Sequence, residues 1–95
     1  MSNHTVTIQI GNTDDKLGQV EWAAYVLGMK TNILPYVVQV HFFGAPANWE
    51  RWQNAAWVVE VSESNVPVLK KSVESIRKVF RQESVAWTEG TTELI

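Results

Sequence analysis

Polar and apolar residues alternate over Thr5-Val6-Thr7-Ile8-Gln9-Ile10, the period-two mark of a strand with one buried face. Val6, Ile8 and Ile10 belong to that face, and the turn formers Gly11-Asn12-Thr13-Asp14-Asp15 end the strand. A helical pattern follows. With Gly18 as N-cap, Glu21 falls at N3, where its carboxylate reaches back to the cap's N–H. Leu17 and Trp22 then occupy the two positions of a hydrophobic staple. Val20, Ala23, Ala24 and Leu27 mark an apolar stripe with Trp22, Val26 and Met29 beside it, a width that predicts a helix buried on more than one side. Pro35 closes the connection. Residues 36–43 read as a second strand, with Tyr36, Val38, Val40 and Phe42 on one face and Val37, Gln39, His41 and Phe43 on the other.

Gly44-Ala45-Pro46-Ala47-Asn48 is loop, and Asn48 can cap a helical turn through Trp49-Glu50-Arg51-Trp52. Residues 56–61 form a third strand with Trp57, Val59 and Val61 on one side, ended by Ser62-Glu63-Ser64-Asn65. Asn65 before Val66-Pro67 opens a second helix, whose stripe is Leu69, Val73, Ile76 and Phe80. Val85-Ala86-Trp87-Thr88 is a fourth strand. Gly90 then allows a turn before residues 91–95, which the pattern leaves open as a short C-terminal extra strand. The order β-α-β-β-α-β predicts an α+β, ferredoxin-like fold over one domain, residues 1–95: a four-stranded antiparallel sheet with two helices on one face. The other face would carry Thr5, Thr7, Gln9, Val37, Gln39, His41, Phe43, Ala56, Val58, Glu60, Ala86 and Thr88. Such a face must meet solvent, a partner or the domain's own loops.

Composition narrows the classes. With 45% hydrophobic and 19% charged residues, the 95-residue chain has the make-up of a folded domain. A formal charge of −2 gives no global field to recruit nucleic acid or an anionic membrane, so neither is expected as a partner. The absence of cysteine excludes disulfides, thiolate metal sites and a Cys nucleophile. Without a secretory leader or an apolar run near the roughly 20 residues of a membrane span, the expected location is cytoplasmic.

Aromatic residues hold the candidate chemistry. Three of the five tryptophans crowd into Trp49-Glu50-Arg51-Trp52-Gln53-Asn54-Ala55-Ala56-Trp57. On a helical turn Trp49 and Trp52 share one side, a partner-binding or ring-stacking surface with Arg51, Gln53 and Asn54 as polar contacts. The competing reading packs both rings on the domain's own sheet. Trp22, Trp57 and Trp87 stand at core-compatible positions. His41 faces Glu60 across a hairpin, the makings of a general base or of an ordinary sheet-face histidine. No motif places a Ser nucleophile, and His4 falls at a terminus expected to fray. Asp14 and Asp15 fail the spacing of a calcium loop and suit a turn before a helix N-terminus. Lys70, Lys71, Arg77, Lys78 and Arg81 cluster on the second helix, but Glu74 interleaves with them as on a solvated surface. An RNA-binding RRM has the same element order; Gln9 stands where its first strand carries a stacking aromatic, which rejects it.

Ile10-Gly11-Asn12-Thr13-Asp14-Asp15-Lys16-Leu17, Gln19-Val20-Glu21-Trp22, Trp52-Gln53-Asn54-Ala55 and Gln82-Glu83-Ser84-Val85-Ala86-Trp87 together resemble small uncharacterised proteins of actinobacterial phages and mobile elements. In that pattern Ser or Thr often stands where this chain has Gly18, which completes the capping box and marks the motif as structural. The resemblance implies a phage-encoded accessory role, such as modulation of a host protein, and no active site.

Two readings follow. The first is a non-enzymatic binding protein and homodimer, acting on a host protein through the loop over residues 49–54 and the adjoining sheet face. The alternative is a small-molecule or nucleotide binder, either a sequestering protein or a dimeric α+β-barrel-type enzyme, with His41, Glu60 and the Trp loop lining the site. No cofactor or metal is called for.

Overall fold

The computed structural model describes residues 2–12, 16–46 and 53–95. Strand β1 (Asn3–Gly11) forms where alternation predicts it, with Val6, Ile8 and Ile10 buried. It pairs antiparallel with β3 (Asn54–Ser62) on one side and β4 (Ala86–Gly90) on the other. Strand β2 (Gln39–Gly44) adds to the far edge of β3, giving the order β2-β3-β1-β4. Helices α1 (Gln19–Ile33) and α2 (Val66–Val79) cover one face. Between them and the sheet lies a single core, built on Trp57, Val59, Val61, Tyr25, Met29, Ile33, Leu69 and Val73. The fold is the ferredoxin-like α+β plan. No helix among the described residues is long and apolar enough to cross a membrane.

Helix α1 begins at Gly18, whose N–H donates to Glu21 Oε1 at 3.4 Å. Its buried stripe differs from the one the sequence predicts. Tyr25, Met29 and Ile33 face the core, with Trp22 and Val26 at its margin. Val20 is 84% exposed and Leu27 63%, while Ala23 and Ala24 also lie outside. The tyrosine ring decides this, because its apolar body outweighs one hydroxyl in setting which side of the helix is buried.

Strand β2 starts later than predicted, because Leu34-Pro35-Tyr36 winds into a short 3-10 turn. A bulge between Val40 and Phe42 then reverses the alternation. Val40 pairs with Val59 on the helix side, yet Phe42 pairs with Val58 on the open side and Phe43 with Trp57 on the helix side. Phe43 thus leaves the predicted open face and Phe42 takes its place. Val37 leaves that face too, packing against the core. Strand β3 extends back to Asn54, which belongs to the sheet rather than the loop. Residues 91–95 join no strand, so the sheet stops at four.

Candidate functional site

A cavity of about 560 Å³ lies between α1 and the end of the β2–β3 hairpin. Helix α1 supplies Gln19, Trp22, Ala23, Val26, Leu27 and Lys30, spaced i, i+3, i+4, i+7, i+8 and i+11, so they form one continuous stripe. Phe43, Ala45 and Pro46 close it from the hairpin, and Gln53 and Asn54 from the start of β3. Its size falls within the usual range for a small-molecule site.

Each wall is held from behind. Trp22 meets Tyr25 edge to face, with centroids 6.0 Å apart. Phe43 rests on the buried Trp57 ring at 5.0 Å, an arrangement that exists only because the bulge turns Phe43 inward. Gln53 donates to Gln19 Oε1 at 3.1 Å and accepts from Asn12 Nδ2 at 2.9 Å. Asn12 is itself 3% exposed; its side chain also donates to the Leu17 carbonyl and accepts from the Leu17 N–H at 2.8 and 3.0 Å. Its backbone N–H donates to the Gln53 carbonyl. One amide thereby ties the end of β1, the approach to α1 and the start of β3 together. Sequence reading saw Asn12 only as a turn former, and its one available signal was an Asn next to Gly where a strand ends.

The predicted site residues separate. Gln53 and Asn54 line the cavity, Gln53 as a fixed wall and Asn54 at the mouth. His41 lies on the open sheet face, where its Nε2 is 2.9 Å from Glu60 Oε1. Thr5 also donates to Glu60, at 3.4 Å, and its hydroxyl meets that of Thr92. The predicted His41–Glu60 contact therefore exists but does not border the cavity, so the two do not line one site with Gln53 and Asn54. Trp49, Arg51 and Trp52 lie outside the described residues, as do Asp14 and Asp15.

Other clusters are satisfied locally. His4, expected in a frayed end, sits in β1 with Nδ1 2.8 Å from Glu89 Oε2. The Trp87 indole N–H donates to the other Glu89 oxygen, and with His4 holds that carboxyl below its ordinary pKa. Lys70 stands over the Trp87 ring at 5.0 Å. Arg77 donates to the Gln82 and Glu83 carbonyls, Lys78 pairs with Glu74, and Arg81 pairs with Glu21. Tyr25 is the exception. Its hydroxyl is fully buried with no hydrogen-bond partner among the described residues, and burial pushes its pKa up to about 12 against a weaker opposing pull from Arg77. No group of three His, Asp or Glu side chains among the described residues can hold a metal ion.

No family model matches the chain, and no curated protein matches it in sequence. Several solved structures share the fold. A dimeric ferredoxin-like protein of unknown function from Thermobifida fusca aligns with TM-score 0.66 at 9% identity, over 97% of this chain and 93% of its own. Hydroxynitrile lyase from Passiflora edulis aligns with TM-score 0.60 at 16% identity, over 97% and 96%. A dimeric ferredoxin-like protein of unknown function from Bacteroides fragilis aligns with TM-score 0.58 at 14% identity, over 92% of each chain. At these identities the likeness is one of fold.

Proposed function

We propose that this protein binds a small apolar molecule in the α1 cavity and works as a homodimer joined through the open sheet face. The cavity carries the reading: it has the volume of a ligand site, mostly apolar walls, and a rim of amides that are themselves anchored. It favours the small-molecule alternative over capture of a host protein. Trp49, Arg51 and Trp52, the ligand-binding candidates of the sequence, lie outside the described residues, and the reading does not rest on them. A phage-encoded accessory role would then be exercised by sequestering that ligand. Dimerisation draws support from Phe42 and Val58 side by side on the open face, and from the dimeric state of two similar folds. The Passiflora lyase is an enzyme on this plan, but the described walls of the cavity hold no His, Asp, Glu or Tyr, and Lys30 is their one titratable group. Binding without turnover is the function assigned.

A thermal-shift screen of apolar acids, alcohols and aromatic compounds tests the reading. A ligand present at 100 times its Kd raises stability by about 2.7 kcal/mol. Leu27→Asn alters the wall at an exposed position, so it should leave the unliganded melting temperature within a degree or two and remove the shift. A screen without hits, or shifts indifferent to Leu27→Asn, would sink the proposal.

A further inference from the structure

We infer that the occupant is an elongated apolar monocarboxylate lying along α1 with its carboxylate at Lys30. This rests on the cavity reading above and adds the ligand's shape, charge and direction. From Gln19 to Lys30 the lining stripe runs eleven residues, which at about 1.5 Å per residue is roughly 16 Å of helix. The groove is therefore long, and its chemistry is sorted along that length. Paired amides, Gln19 with Gln53, stand at one end. Trp22, Val26, Leu27 and Phe43 make an apolar middle, and Lys30 stands at the other end.

Lys30 is the one charged side chain among the described lining residues, and it has no ion pair among the described residues. A cation in the last turn of a helix is favoured by the helix dipole. That field does not require the side chain to border a cavity, and Lys30 does. Its methylene stem can extend the apolar wall while the ammonium meets an anion at the groove's end. One cation matches one carboxylate. A phosphate dianion would want more positive charge than the described walls provide, and the opposite end offers amides already committed to each other and to Asn12.

The test titrates ¹⁵N-labelled protein with decanoate and, separately, with decan-1-ol, each kept below its aggregation limit. Both probes should move the Val26, Leu27 and Lys30 amides in the wild type. Lys30→Met should weaken decanoate roughly two- to fivefold, the range an exposed ion pair supports, and leave decan-1-ol unchanged. Lys30→Arg should restore decanoate. Equal effects of Lys30→Met on both probes, or on neither, would overturn the assignment of the carboxylate. If neither probe binds but another compound moves the same amides, the elongated acid is wrong and the cavity reading stands. If nothing tested moves them, both fall. Shifts centred on Phe42 of the open face would also overturn the inference.

Discussion

Tyr25 and Asn12 are polar groups in the interior with opposite accounts. Asn12 spends both ends of its amide on Leu17 and Gln53, so its burial is compensated. Tyr25 contributes a large ring to the core, packed 5.0 Å from Phe80, but its hydroxyl is orphaned. An unpaired buried hydroxyl costs about 1–3 kcal/mol relative to one that is bonded. Tyr25→Phe keeps the ring and removes the orphan, so near pH 7 it should raise unfolding stability by about 1 kcal/mol in urea titrations. Alkaline pH gives a second signature. Below pH 10 the hydroxyl is protonated in both states and makes no difference. Between pH 10 and about 12 the unfolded tyrosine releases its proton while the folded one keeps it, so wild-type stability falls as pH rises. The phenylalanine variant lacks that contribution, and the gap between the two proteins should widen across the window. A Tyr25→Phe variant less stable than wild type at neutral pH would instead mean that water satisfies the hydroxyl.

Helix α2 ends in a conformation that its sequence does not favour. Gln82 N–H bonds the Arg77 carbonyl and Arg81 N–H bonds the Lys78 carbonyl, a Schellman closure. Arg81, at the position glycine usually fills, has φ of 56°. The left-handed conformation costs a non-glycine residue roughly 1–2 kcal/mol, and the exposed pair with Glu21 at 3.4 Å returns less than that. Arg81→Gly should therefore stabilise the fold by about 0.5–1 kcal/mol in the same titrations, and Arg81→Ala should not. No glycine announced this helix end, and its place had to be inferred from where the apolar stripe stops at Phe80. Elements were legible where periodicity was clean, as in Val6-Ile8-Ile10 or Leu69-Val73-Ile76-Phe80. They were misread where one residue shifts the phase. The bulge at His41 exchanged Phe42 and Phe43, since strand faces alternate every residue and an inserted position reverses all that follow. The aromatic part of the hairpin wall was hidden by that exchange, because Phe43 was assigned to the wrong side. The α1 wall was visible as an apolar stripe, and read as core.

At the scale of the whole molecule the proposed dimer depends on the open sheet face. Four strands about 4.8 Å apart and up to nine residues long offer roughly 19 by 30 Å. Stable interfaces bury about 800 Å² per partner, so a flat contact of this size is at the small end and must depend on few side chains. Phe42, 56% exposed and beside Val58, is the large apolar group on the face; around it stand Thr5, Thr7, Gln9, Gln39 and the His41–Glu60 couple. Thr92 reaches Thr5 there, bringing the extended residues after β4 to the same side. A dimer built on this surface is therefore centred on one aromatic. Phe42→Asp would face a charge against its own copy, and because the ring is half exposed the monomer's core is not opened by the change. Sedimentation should show a concentration-dependent dimer for wild type and a monomer for Phe42→Asp, and the melting temperature should rise with protein concentration only in the wild type. Because the cavity lies on the other side of the sheet, Phe42→Asp should still bind decanoate. Loss of binding together with the dimer would show that the second copy completes the ligand site, and a dimer that survives the charge would move the interface to another surface.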